Sequence, residues 1–341
     1  MTTVHTLMAA EIAEAPQAVA RQLAANRDLL TALVARLRKF DPPVVVTIAR
    51  GSSDHAALYL KYLVEISLGL PCASIGPSIA SVYNARLKLD RAVAVTISQS
   101  GRSPDIVAMQ RAAATAGALT IALVNDTESP VAQDAAHCLP LGAGPERAVA
   151  ATKSMIAALV AAASLVALWG DNELLAAAIE DLPGSLDRDV PPPPVGAATA
   201  LAGARSAFVL GRGATFAIAS EAALKLKETC ALHAEAFSAA EVLHGPAALI
   251  EPGFPVVTFV PQDAAREATE ATLHRLGGLG AHCLTFDTGA AEALPATSAG
   301  HALVTPIVMI RDFYVLAEAI ARMRGRDPDR PPHLSKVTQT R

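Results

Sequence analysis

The sequence predicts an α/β protein with two parallel sheets, each flanked by helices, built from a duplicated unit. Short runs rich in Val and Ile alternate with longer segments of helical period. Apolar residues make up 52% of the 341-residue chain but aromatics only 4%, so the core must come from Ala, Val, Leu and Ile, the inventory of Ala-rich helices on Val/Ile strands. The two halves around Pro191–Pro194 also resemble one another.

Leu7, Ile12, Val19, Leu23, Leu30, Val34 and Leu37 recur at helical spacing, which predicts helix over 7–39 with a break near Pro16. Asp41-Pro42-Pro43 ends it, and Val44 to Ala49 reads as a buried parallel strand. Further strands are expected at 92–97, 119–124, 206–210, 255–260 and 282–286, with helices at 54–68, 104–116, 153–169, 216–229 and 264–278. The apolar run Met155–Trp169 would make a helix of about 22 Å, short of a bilayer core of about 30 Å, so it is read as buried in protein.

Pro191–Pro194 can form a stiff, extended linker. Displaced by 162 residues, Val46-x-x-Ala49-Arg50-Gly51 matches Phe208-x-x-Gly211-Arg212-Gly213, and Val95-Thr96-Ile97 matches Val257-Thr258-Phe259. Net charge is −4 and pI about 6.1, so no basic face for nucleic acid is expected. The N-terminus shows no basic segment followed by an apolar run, and Cys72, Cys138, Cys230 and Cys283 form no CxxC pair. The expectation is a cytoplasmic protein with no membrane span, no metal and no disulfide framework.

Chemistry concentrates in three places. In Ser98-Gln99-Ser100-Gly101-Arg102-Ser103-Pro104-Asp105, three hydroxyls and an amide crowd one strand-to-helix turn. Gly101 permits close approach of backbone to a ligand, and the free N–H groups of the following helix make an anion cradle. The same residues also suit a plain turn capped by Ser103. The second half has Val260-Pro261-Gln262-Asp263 there, without serines, so one half is expected to bind phosphate and the other not. Ser52 and Ser53 could add hydroxyls from an adjacent strand end, or Ser53 and Asp54 could simply cap a helix.

Glu221, Lys225 and Glu228 share one helical stripe. Either it is a solvated, salt-bridged face, or both sides of the helix are covered and a buried glutamate can carry a proton. His244 precedes Gly245-Pro246 and belongs to a helix end or loop, in a structural or a catalytic role. Gly211-Arg212-Gly213 departs from a dinucleotide fingerprint, since Phe216 replaces the third glycine.

Together these segments resemble the sugar isomerase (SIS) domain family, most closely the isomerase part of glucosamine-6-phosphate synthases. The motifs are Arg50-Gly51-Ser52-Ser53, Ser98–Asp105, Val149-Ala150-Ala151-Thr152-Lys153, Glu221-x-x-x-Lys225-x-x-Glu228, the run His233 to Pro246, and His333-Leu334-x-Lys336-Val337-Thr338. The resemblance implies two tandem flavodoxin-like three-layer SIS domains. Residues 1–40 would be an N-terminal helical segment, 41–190 the first, phosphate-binding domain, 195–325 the second, and 326–341 a tail reaching the active site.

By the same resemblance Ser52, Ser98, Gln99, Ser100 and Ser103 bind phosphate. Ser53, Val149 and Lys225 belong to the substrate site. Glu228 moves a proton between carbons 1 and 2, and His244, supplied by the neighbouring subunit of a homodimer, assists ring opening. Lys336 lies near the substrate carbonyl. No cofactor is implied. The synthases carry a glutaminase domain with an N-terminal cysteine nucleophile, whereas this chain begins Met1-Thr2-Thr3, and Ala151 replaces a sugar-contacting serine. The expectation is a glucosamine-6-phosphate deaminase. The alternatives are another aminosugar- or fructosamine-phosphate deaminase or deglycase, an aldose–ketose phosphosugar isomerase, and a non-catalytic phosphosugar sensor.

Overall fold

The computed structural model describes residues 6–192, 194–288, 294 and 296–336. The nine strands are β1 Val45–Ile48, β2 Cys72–Ser74, β3 Val93–Ser98, β4 Leu119–Val124, β5 His137–Pro140, β6 Ser206–Gly211, β7 His233–Ser238, β8 Pro255–Phe259 and β9 His282–Phe286. They form two wholly parallel sheets, ordered β2-β1-β3-β4-β5 and β7-β6-β8-β9. The described chain falls into two compact units that interleave in sequence. One takes 1–14, 147–152 and 184–334; the other takes 15–146, 153–183 and 335–341.

The duplication extends to register. Val46 pairs with Ala94 and Phe208 with Val256; Cys72 pairs with Val45 and Ala234 with Ala207, every position displaced by 162. Gly51 and Gly213 hold the same positive-φ conformation before their helices, φ/ψ 57/−135° and 62/−135°, a region only glycine enters without strain. Thr96 and Thr258 repeat as well, each buried with no hydrogen-bond partner for its hydroxyl among the described residues.

Each sheet is covered because its strands are apolar on both faces. In the first, Val46, Ile48, Ala94, Ala122 and Val124 pack with Ile106, Met109 and Ala113 of the helix Pro104–Thr115. The helix Ser52–Leu68 packs on β1 and on the helix Lys153–Trp169, which is buried in protein as the apolar run predicts. No helix is long and apolar enough to cross a membrane among the described residues.

Three strands escape the sequence pattern. β2 has three residues, and β5 and β7 carry His, Pro or Glu at sheet edges where polar side chains face out. The amphipathic helix Thr305–Met323 was also unmarked. The N-terminal helix breaks near Pro16, as the sequence predicts: Leu7–Ala13 ends at Glu14 and Ala15–Phe40 begins, so Pro16 sits in a first turn where its missing N–H leaves no bond unmade. Pro193 of the linker lies outside the described residues.

Gly101 has φ +61°, and a Cβ there would sit 2.1 Å from Ser129 Oγ and 2.6 Å from Ser129 Cβ. What approaches this glycine is the next loop of its own sheet. Gly101→Ala should cost about 1–3 kcal/mol in urea unfolding. Adding Ser129→Gly should recover part of the loss, because the next contact is Val131 Cβ at 3.4 Å and glycine remains an acceptable cap. Additive losses would contradict the clash.

Candidate active site

β1 and β3 are neighbours whose onward connections run opposite ways, to β2 on one side and β4 on the other. In such sheets ligands settle at this switch point, beyond the carboxyl ends of the strands. Ser52 and Ser53 begin the helix after β1, and Ser98 to Ser103 form the turn after β3. The structure therefore brings the six predicted hydroxyl and amide residues to the carboxyl ends of two adjacent strands of one sheet.

Ser98 Oγ accepts from the Gly101 N–H at 2.9 Å, and Ser100 Oγ accepts from the Arg102 N–H at 3.3 Å, which fold the turn back on itself. Ser103 occupies the cap position of the following helix, and its carbonyl accepts from the Val107 N–H at 3.1 Å, but its hydroxyl does not cap. The plain-cap alternative for Ser103 thus fails. The cap role passes to Asp105, 1% exposed, whose Oδ1 accepts from the Ile106 N–H at 2.9 Å and whose Oδ2 accepts from Arg50 Nε at 3.2 Å. That ion pair ties the β1 turn to the β3 turn. The sequence marks Arg50 and Asp105 only as parts of motifs.

In the second sheet the segments that follow β8 and β9 are tied to each other by charged and polar side chains. Arg266 forms two hydrogen bonds with Asp287, at 2.6 and 3.0 Å, and Gln262 donates to Asp287 at 3.3 Å. Hydrogen bonding to Asp287 raises the Arg266 pKa despite burial. Asp263 Oδ1 accepts from the Ala265 N–H at 2.9 Å.

The acid–base cluster lies in the other unit, on the helix Ala214–Cys230. Glu221 and Lys225 are 0% exposed and Glu228 is 22% exposed, which rules out a solvated face. Lys225 Nζ is hydrogen-bonded to Glu228 and stands 3.4 Å from Glu221 Oε1; Tyr314 OH donates to Glu221 at 3.1 Å. Burial alone would lower the Lys225 pKa, but the two carboxylates outweigh it and hold the pKa above the ordinary lysine value. The ammonium is turned wholly inward, against Glu221 and Glu228. Tyr314 left no local signal, being 93 residues from Glu221.

Val149 lies in the same unit. Its N–H donates to the Asp329 carbonyl at 3.1 Å, while the buried Glu11 carboxylate accepts from the N–H groups of Arg147 and Ala148. Asp329 also caps the first helix, accepting from Leu7 and Met8 N–H groups at 2.7 Å. His244 ends a short 3₁₀ turn, Glu241–Leu243, exposed and with no side-chain hydrogen bond among the described residues. Lys336 belongs to the unit of the serine turn, where its Nζ meets Glu146 at 2.8 Å. Val337 and Thr338 lie outside the described residues. No group of three or more His, Cys, Asp or Glu placed to hold a metal occurs among the described residues.

Residues 41–168 and 200–318 each match the SIS domain. The chain belongs to the SIS domain family. Its relatives include the glutamine–fructose-6-phosphate aminotransferase (isomerizing) of Symbiobacterium thermophilum, 34% identical across 96% of this chain and 58% of that protein, and that of Halobacterium salinarum, 36% identical across 85% and 50%. The chain thus spans about half the length of these relatives. Among solved structures, a protein of Silicibacter pomeroyi DSS-3 provisionally assigned as a phosphosugar isomerase is 46% identical with a TM-score of 0.90, covering 95% of this chain and all of that one. The C-terminal domain of glucosamine-fructose-6-phosphate aminotransferase from Francisella tularensis is 25% identical with a TM-score of 0.80, covering 97% and 99%. The SIS fold thus accounts for both halves.

Lys225→Met would strand Glu221 as a buried charge. Urea unfolding at pH 7.5 should show a loss of about 3–5 kcal/mol. In the wild type the raised Lys225 pKa means its contribution is fully present below about pH 10.4 and lost only as pH rises through the higher folded value. In the variant the deficit should shrink as pH falls and protonation removes the buried charge. A small, pH-independent loss would contradict the buried-charge account.

Proposed function

We propose that this protein is a phosphosugar isomerase and, more specifically, that it converts glucosamine 6-phosphate and water to fructose 6-phosphate and ammonia. The observation that carries the reading is Glu228, a partly exposed carboxylate fixed from behind by a wholly buried lysine. Such a group is held in one place while one edge stays open to a substrate. The hydroxyl-rich turn at the β1/β3 switch point supports the phosphosugar class, and the names of the relatives support an aminosugar linked to fructose 6-phosphate.

In this reading the phosphate takes hydrogen bonds from Ser52, Ser98, Gln99, Ser100 and Ser103, with added attraction from the N-terminus of the helix Pro104–Thr115. Ser53 and the backbone at Val149 contact the sugar. His244 moves the ring proton and opens the pyranose. Glu228 removes the carbon-2 proton and returns it to carbon 1, so the C2 amine becomes an imine. Water adds to that imine and ammonia leaves. Lys225 holds Glu228 for the transfer, and Lys336 lies near the reacting carbons. Two chains would share each site, with His244 serving its partner; its exposure and lack of a side-chain partner within the described chain favour this.

The test is ammonia and fructose 6-phosphate release from glucosamine 6-phosphate, galactosamine 6-phosphate and a fructosamine phosphate. Release from the first is expected. Ser100→Ala should raise KM about 10- to 100-fold, since a hydrogen bond to a charged group is worth about 1.5–3 kcal/mol. Mixing Glu228→Gln with His244→Ala chains should restore part of the lost activity. Tight binding of phosphosugars with no turnover of any would replace this reading by a phosphosugar sensor.

A further inference from the structure

Glu146 carries no role in the motifs, yet it is a buried carboxylate bound to a proposed active group. Its side chain is 0% exposed. Oε1 accepts from the Ser154 N–H at 3.1 Å and Oε2 from the Ser154 hydroxyl at 2.6 Å, in the first turn of the helix Lys153–Trp169. The same Oε2 meets Lys336 Nζ at 2.8 Å, and Lys336 is 25% exposed. All three residues belong to one compact unit.

The asymmetry of the pair sets the direction of control. Glu146 is anchored by a helix start and cannot swing. Lys336 follows a stretch, 324–335, that contains no helix or strand. No helix or strand leads into the lysine, and the buried carboxylate binds its ammonium directly. A buried anion is costly without nearby positive charge, and the lysine brings its ammonium to 2.8 Å of this one.

We infer that Glu146 is the positioning residue for Lys336: it latches the C-terminal segment and sets where that amine stands during turnover. The inference rests on the proposed role of Lys336, but the latch itself is testable without any activity. A lysine whose ammonium is bound to a buried carboxylate is a poor trypsin site, because the protease must take the same ammonium into its own acidic pocket.

The experiment compares wild type, Glu146→Gln, Lys336→Ala and the double variant, with folding checked by thermal melting. Trypsin cleavage after Lys336, followed by mass spectrometry against cleavage after the exposed Arg326, should accelerate at least fivefold in Glu146→Gln. Turnover of glucosamine 6-phosphate should fall about 10- to 100-fold in kcat with KM little changed, as expected for a misplaced group. Glu146→Gln should add nothing further in the Lys336→Ala background. Unchanged cleavage in folded Glu146→Gln, or losses that multiply independently in the double variant, would overturn the proposal. If Glu146→Gln does not fold, Ser154→Ala, which frees one carboxylate oxygen, should speed the same cleavage more modestly, and no change there overturns it. If wild type turns over no phosphosugar, the reading of the function fails while the cleavage arm still decides the latch.

Discussion

A lysine ammonium with no exposed surface, set between two glutamates on its own helix, is the constraint around which the acid–base cluster is arranged. Removing an ammonium from water costs several kcal/mol even after relaxation, and only close, complementary charge offsets it. The i, i+4, i+7 spacing of Glu221, Lys225 and Glu228 puts both carboxylates within reach, and Tyr314 from the helix Thr305–Met323 satisfies the deeper one. The consequence is asymmetric. Glu221 is sealed, whereas Glu228 keeps an open edge. A flexible surface glutamate would lose rotamer freedom on meeting a substrate; this one has already lost it on folding.

The second constraint is strand order. Placing β1 and β3 side by side with their connections diverging opens a crevice at their carboxyl ends, and the duplicated chain makes the same arrangement at β6 and β8. The two copies share register to the residue yet differ in what fills that position. In one, hydroxyls and a glycine line the turn, tied by Arg50 and Asp105. In the other, Arg266 after β8 pairs with Asp287 after β9. The duplicated units thus share a strand arrangement but carry different side chains after the matching strands: hydroxyls in one, a closed ion pair in the other.

Much of this was legible in the sequence because its signals are local. Leu119–Val124 and Lys153–Trp169 follow directly from apolar runs, and the repeat of Gly51 in Gly213 follows from matching text at one shift. The serine turn was readable as a cluster, though not which hydroxyl would be spent on the backbone: Ser98 and Ser100 fold the turn, while Ser103, the apparent cap, does not cap. The buried state of the Glu221 stripe could not be decided locally, since its cover includes a helix some 90 residues away. Glu11, Glu146 and Asp329 were invisible for the same reason. Their partners lie 136, 190 and 322 residues distant, and no periodicity reports a contact of that range.

The claim that most needs a direct measurement is that Glu228 itself carries the proton between neighbouring carbons. Incubating the protein with fructose 6-phosphate and ammonium in deuterium oxide, and following the carbon-1 protons by NMR, isolates that step from product release. The account predicts stereospecific exchange of one carbon-1 hydrogen by the wild type, reduced by about 10²–10⁴-fold in Glu228→Gln and much less in Tyr314→Phe. Exchange at the wild-type rate in a folded Glu228→Gln protein would contradict it.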